Sequence, residues 1–361
     1  LISLSAGAGH VRSAMALQKT AVAKFPDIEI SHIDMVDYVT APMKHALIYS
    51  YEIMIKRLPE LWGFLYDKIN QPKNSKRFHT LTKSLKRMNC KALFAFVREY
   101  RPDHIIATHC LPAELIKDCP DQEVARIPVS IVVTDYDAHV LWEVPNMEYY
   151  FVASEKIRWK FSHHGIPNKR IVLSGIPIGP EFSEAGNTLM LKNKLGIDPH
   201  HKTILILSGG RGMVKIDRIL PDLFESKTPA TIIMVAGRNQ TLAKKLNALR
   251  PPKHITTLVL GWVNNIDEYM RISDVIVSKP GGITTTECIA LKKPLIAVSP
   301  IPGQEEHNVD FILRHGYGVV AQNREDLLYY LDQTAATLAP GFANKKPPLQ
   351  TSAEIILSTL F

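Results

Sequence analysis

The chain has 361 residues, 46% of them hydrophobic and 22% charged, with a formal net charge of +8. That length exceeds what one hydrophobic core usually organises, so two α/β domains are expected. Cys90, Cys110, Cys119 and Cys288 form no C-x-x-C pair, which argues against a zinc or iron–sulfur site and for a reduced, cytoplasmic setting, and no uncharged apolar run approaches the roughly 18 residues of a membrane span.

The chain opens directly in strand-like residues, Leu1 to Ser5, with no signal peptide, so its natural start is expected further upstream. A glycine turn follows, Ser5-Ala6-Gly7-Ala8-Gly9-His10, and then a helical pattern through Phe25. The turn does not complete the G-x-G-x-x-G of dinucleotide sites. His10 would stand at the carboxyl edge of the first strand, where the helix dipole favours a neutral imidazole able to take a proton from a hydroxyl; the plainer alternative is a His bonding backbone at a helix start. Ile28 to Ile33 reads as the second strand.

Charge concentrates next. Residues 41–101 hold 13 Lys or Arg against four acids, a surplus larger than the net charge of the whole chain. Within it, Met43 to Asn70 mixes Tyr49, Ile53, Leu61, Trp62, Phe64 and Tyr66 with Lys44, Lys56, Arg57 and Lys68. Such a surface suits an anionic membrane, and an ordinary core-facing helix with a basic outer side is the alternative. No nucleic-acid-binding motif accompanies it.

Strands are then expected at His104 to Thr108, Val129 to Thr134, Tyr149 to Ala153 and Arg170 to Ser174, separated mostly by helical stretches as a parallel sheet requires. The second of these, the fourth strand of the first domain, ends in Val132-Val133-Thr134-Asp135-Tyr136-Asp137, which contains D-x-D. Metal-dependent sugar transferases use that pattern, but three residues match easily by chance. Asp135 is read instead as orienting His10 or meeting an acceptor hydroxyl, with His139 and Trp142 shaping an acceptor pocket; a plain strand-end loop is the alternative. The turn-rich stretch Gly175 to Phe182 reads as a linker.

The rhythm restarts at Thr203 to Ser208, followed by Gly209-Gly210-Arg211, then Thr231 to Ala236, Thr256 to Leu260, Asp274 to Ser278, Pro294 to Val298 and Gly318 to Ala321. The fold class expected is α/β, two Rossmann-like doubly wound domains facing a central cleft. Lys279-Pro280-Gly281-Gly282-Ile283-Thr284-Thr285-Thr286-Glu287 turns a buried strand into a helix through two glycines. Its free N–H groups offer a phosphate site, with Glu287 placed for ribose hydroxyls; an ordinary glycine turn with a solvated Glu is the alternative. Pro340 to Pro348 leads to a last apolar helix, Thr351 to Leu360.

Taken together, Gly7-Ala8-Gly9-His10, the Val133 to Trp142 stretch, Gly175-Ile176-Pro177, Gly209-Gly210 and Lys279 through Glu287 with Pro302-Gly303-Gln304-Glu305 resemble the glycosyltransferase family of monogalactosyldiacylglycerol synthases and processive diacylglycerol glucosyltransferases, related more distantly to the peptidoglycan GlcNAc transferase. Plant members carry a third glycine where this chain has Ala8. The resemblance implies a GT-B arrangement, an inverting transfer, no obligatory metal or other cofactor, a UDP-sugar donor and a lipid acceptor. It implies an acceptor domain at residues 1–178, a donor domain at 179–343, and a segment 344–361 folding back on the first domain. The donor would be held by Gly209, Gly210, Arg211, Gly261, Trp262, Val263, Gly281, Gly282, Ile283, Thr284, Glu287, Gln304 and Glu305, with uracil on the Gly261-Trp262-Val263 turn. His10 and Asp135 would be catalytic, and Gly9, His139 and Trp142 would meet the acceptor. The expected location is cytoplasmic, peripheral on the inner face of the cell membrane. A UDP-GlcNAc transferase acting on a polyprenyl or lipopolysaccharide acceptor, a UDP-sugar epimerase and a non-catalytic nucleotide-sugar binder are the alternatives.

Overall fold

Two all-parallel sheets make up the frame of the computed structural model, which describes residues 1–5, 7–70, 89–209, 214, 216–225, 229–343 and 350–361. The first sheet contains β1 (Ile2–Ser3), β2 (Ile33–Asp34), β3 (Ile105–Ala107), β4 (Val129–Val132), β5 (Tyr150–Val152) and β6 (Ile171–Leu173), in the order β2-β1-β3-β4-β5-β6. The second contains β7 (Lys202–Leu207), β8 (Ala230–Val235), β9 (Ile255–Leu260), β10 (Val275–Ser278), β11 (Leu295–Ala297) and β12 (Gly318–Val320), in the order β12-β11-β10-β7-β8-β9. Strand order reverses beside β1 in one sheet and beside β7 in the other, the switch points at which doubly wound sheets open a crevice at their carboxyl ends.

These strands read as continuous apolar runs because helices cover both faces. Ile105, Ala107, Ile131, Val133, Tyr150 and Val152 point to one core, while the alternate residues Ile106, Val132 and Phe151 join Leu17, Ala21, Ile356 and Leu357 on the other side. In the second sheet Ile204, Ile206, Ile232, Met234, Val275 and Val277 share a core, with the alternate Leu205, Ile233 and Ile276 fully buried opposite. The period of two along each strand thus sorts residues between two buried layers.

Expected and observed strands coincide except at the second. β2 falls at Ile33–Asp34, overlapping the expected Ile28 to Ile33 by one residue, because Ile2 pairs with Ile33 and Ser3 with Asp34. The basic stretch forms helices Ala41–His45, Tyr51–Arg57 and Pro59–Ile69, with a π-helical stretch Ala46–Ser50 between the first two. Pro59 forces the break after Leu58, since its ring disfavours a helical residue before it. Tyr49, Ile53, Leu58, Leu61 and Phe64 on these helices are exposed. Residues 71–88, which hold much of the basic surplus, lie outside the described residues.

The chain divides into a first unit of Leu1–Pro180, Pro302–Gln304 and Leu349–Phe361 and a second of Glu181–Ile301 and Glu305–Pro348. In the first, the helix Ser352–Leu360 is started by a capping box between Thr351 and Glu354 and lies against the helix Ala8–Lys24, with Lys24 ion-paired to Glu354. Gly175, at φ +81°, admits this helix closely, as a Cβ there would stand 2.5 Å from the Ser352 hydroxyl. No described helix is long and apolar enough to cross a membrane.

Candidate active site

In the first unit, the parallel register brings the ends of β1, β3 and β4 side by side, and the residues just after them gather around His10. Gly7, at φ +114° and ψ 150°, turns the chain into the helix Ala8–Lys24, a conformation that favours glycine. His10 is 9% exposed, and its Nδ1 lies 2.9 Å from the Thr108 carbonyl oxygen and 2.9 Å from the Thr134 hydroxyl. A carbonyl only accepts, so Nδ1 carries the proton and Nε2 keeps its lone pair. The Thr108 hydroxyl donates back to the His10 carbonyl at 2.9 Å. Burial lowers the His10 pKa from 6.5 to about 4, against a smaller upward pull from the Thr108 hydrogen bond. The result is a neutral imidazole with one free basic nitrogen.

His109 and Trp142 wall this imidazole. Their ring centroids lie 4.6 Å and 6.0 Å from that of His10. His109 is also kept neutral, first by burial and then by the neighbouring His10, and its Nδ1 caps the helix Cys110–Lys117 by accepting from the Leu111 N–H at 3.0 Å. His139 uses both ring nitrogens within the protein. Nε2 donates to the Tyr66 carbonyl at 2.8 Å, and Nδ1 accepts from the Leu141 N–H at 3.2 Å, starting the 3-10 turn Val140–Trp142 that delivers the indole. The same contact ties the helix Pro59–Ile69 to this loop, as does the bond from the Val140 N–H to Asn70 at 2.9 Å.

Asp135 is half-buried at the start of the same loop, and the His10 Nδ1 is held by Thr108 and Thr134. Asp137, the second acid of D-x-D, is buried and held by Lys156 at 2.6 Å and Lys160 at 3.4 Å. The two carboxylates therefore serve separate purposes. Gly9 sits in the first helical turn beside His10.

In the second unit, the ends of β7, β8, β9 and β10 form one edge, since Leu207 pairs with Val235, Val235 with Leu260, and Val277 with Ile206. Gly209 at φ +76° follows β7; Gly210 and Arg211 lie outside the described residues. Gly261, Trp262 and Val263 follow β9, with Trp262 50% exposed. After β10, Gly281 is the N-cap of the helix Gly282–Ala290, with no side-chain cap and no acid in the first turn. The N–H groups of Gly282, Ile283 and Thr284 thus mark a positive helix end. Glu287, one turn in, is 1% exposed; burial, and after it the neighbouring Glu287, push the Cys288 thiol well above its usual pKa.

Lys279 and Glu305 complete this end. The Lys279 ammonium lies 3.0 Å from Glu305 Oε1, and Oε2 accepts from the Ile301 N–H at 2.8 Å, so Glu305 anchors its own loop near Gly281. Gln304, one residue earlier, falls in the first unit, where Pro302 lies against Gly63. The sequence reading missed Lys279, His109 and the two threonines. His109 alone had a visible signal, a titratable residue immediately after a strand ending at the same edge as His10.

Residues 10–178 match the family model for monogalactosyldiacylglycerol (MGDG) synthase, and residues 191–335 that for glycosyl transferases group 1. A processive diacylglycerol beta-glucosyltransferase of Bacillus subtilis is 30% identical over 91% of this chain and 84% of its own. The chain belongs to this family of diacylglycerol glycosyltransferases and is a hexosyltransferase. The family member of Bacillus licheniformis, with the same description, is 28% identical and aligns over 100% of this chain and 93% of its own. The crystal structure of Acinetobacter baumannii MurG superposes with a TM-score of 0.58 at 15% identity, covering 99% of this chain and 98% of that one, a likeness of GT-B fold. The family match thus spans both units.

Proposed function

We propose that the protein transfers a hexose, glucose in the first instance, from a UDP-sugar to a diacylglycerol-type lipid with inversion at the anomeric carbon. The observation that carries this reading is the buried, neutral His10, whose proton is fixed on Nδ1 by a carbonyl and whose Nε2 is left basic. That nitrogen would take the proton of the acceptor hydroxyl as its oxygen attacks C1, while the bond from C1 to the diphosphate breaks and UDP leaves. Asp135 would meet the acceptor hydroxyl, and Gly9, Trp142 and the loop fixed by His139 would line its path.

The donor falls to the second unit. Gly281, Gly282, Ile283 and Thr284 would hold the diphosphate at the helix start, joined by Gly209, Gly210 and Arg211. Glu287 would take the ribose hydroxyls, and uracil would rest on Gly261, Trp262 and Val263. Gln304 and Glu305 would read the sugar, Glu305 with lone pairs beyond those used by Lys279 and Ile301. No metal is required in this scheme, because the helix end supplies positive potential where charge develops.

The acceptor is insoluble, so the protein must meet a bilayer. The exposed Tyr49, Ile53, Leu58, Leu61 and Phe64, interspersed with Lys44, Arg57 and Lys68, support docking on an anionic surface at the inner face of the cell membrane. The relatives' diacylglycerol glucosyltransferase description supports the same acceptor and sugar. Liposomes containing diacylglycerol and an anionic lipid, incubated with the protein and UDP-glucose, UDP-galactose or UDP-GlcNAc, test the reading. It expects a β-glucosyl lipid and UDP from the first donor. UDP-sugar binding with no lipid product from any donor overturns it.

A further inference from the structure

We propose that Arg238, on the loop after β8, determines specificity for the nucleotide half of the donor by bracing Trp262 and setting a cation beside it; this rests on the donor-site reading above. β8 and β9 are paired to their ends at Val235 and Leu260, so the loops that follow emerge side by side. They approach closely: a Cβ on Gly261 would stand 3.7 Å from the Gly237 carbonyl oxygen. Gly237, at φ +60°, turns the chain sharply before Arg238, and Asn239 then caps the helix Gln240–Asn247 by accepting from the Leu242 N–H at 2.9 Å. The far side is fixed as well, by a bond from Trp262 Nε1 to Asn264 Oδ1 at 3.2 Å.

Between these anchors the Arg238 guanidinium lies 4.8 Å from the centroid of the Trp262 ring. Arg238 is exposed and, among the described residues, has no carboxylate partner. Trp262 remains half exposed. A cation over an indole, with no carboxylate partner among the described residues, suits an anionic ligand, and the exposed face of the indole offers a planar base a stacking surface. Both groups stand on the sheet edge that also carries Gly209 and Gly281, where the diphosphate is placed. A uridine diphosphate presents both chemistries together.

The test measures UDP affinity by calorimetry on the full chain, and KM and kcat from UDP release with diacylglycerol liposomes. Arg238→Ala is expected to raise the UDP Kd and the UDP-glucose KM about tenfold with kcat within about twofold. Arg238→Lys should recover part of the loss, and Arg238→Ala should cost less in a Trp262→Ala background than in the wild type, because only the charge contribution is then left to lose. An Arg238→Ala protein with unchanged Kd and KM overturns the proposal. So does one whose kcat and thermal midpoint fall while Kd holds, since that is a folding role. A wild-type chain that binds no UDP would overturn the donor-site reading itself, and this proposal with it.

Discussion

Two strand-to-helix turns, one in each unit, use the same backbone device at opposite electrical settings. At Gly7 to His10 burial, with the rings of His109 and Trp142 packed alongside, keeps an imidazole uncharged. At Gly281 to Thr284 the first helical turn carries no acid of its own, and the Glu305 carboxylate beside it is balanced by Lys279, so the positive end of the helix is preserved. The difference is set by what the turn carries: a titratable side chain in one, glycine backbone in the other. A helix N-terminus therefore positions a base or offers a site for an anion, depending on whether a side chain or a phosphate occupies it.

Breaking the comparison at the base should give the largest effect. His10→Ala is expected to lower kcat by about 10²- to 10⁴-fold while UDP binding is kept, read by UDP release and calorimetry. A parallel loss of UDP affinity would show that the two turns are not separable in function. At the other turn, Glu305→Ala leaves the half-buried Lys279 without this counter-ion and should cost about 2–4 kcal/mol in urea unfolding. Joint replacement by Lys279→Met and Glu305→Leu should return much of it.

The smallest of the three effects sharpens the electrical contrast. His10 has a folded pKa of about 4 against 6.5 unfolded, so the unfolded chain binds more protons between those values. Its contribution is complete above pH 6.5 and is lost as pH falls through 4, about 3 kcal/mol at most, with His109 acting in the same direction. Urea unfolding at a series of pH values should show stability falling over this window in the wild type and falling less in His10→Ala.

The frame was legible because strands buried on both faces read as plain apolar runs, and the glycine turns announced where helices begin. β2 was misplaced because its position depends on the register with β1, which no local pattern encodes. His10 could be named from its turn, but its partners could not, since Thr108 and Thr134 lie 98 and 124 residues away. Asp135 drew attention as a carboxylate, whereas a carbonyl, which every residue owns and no sequence motif displays, fixes the tautomer. Lys279 and Glu305 were both visible, and their pairing needed the loop at Ile301 to bring them together.

The helix Ser352–Leu360 covers Leu17, Ile106, Val132 and Phe151 of the first unit. During synthesis that apolar face has to wait, uncovered, until nearly the whole second unit has been made and residues 352–360 emerge from the ribosome. The half of the molecule translated first is thus the half that finishes folding last, and nascent chains stalled before residue 352 should present a sticky surface for chaperones to shield.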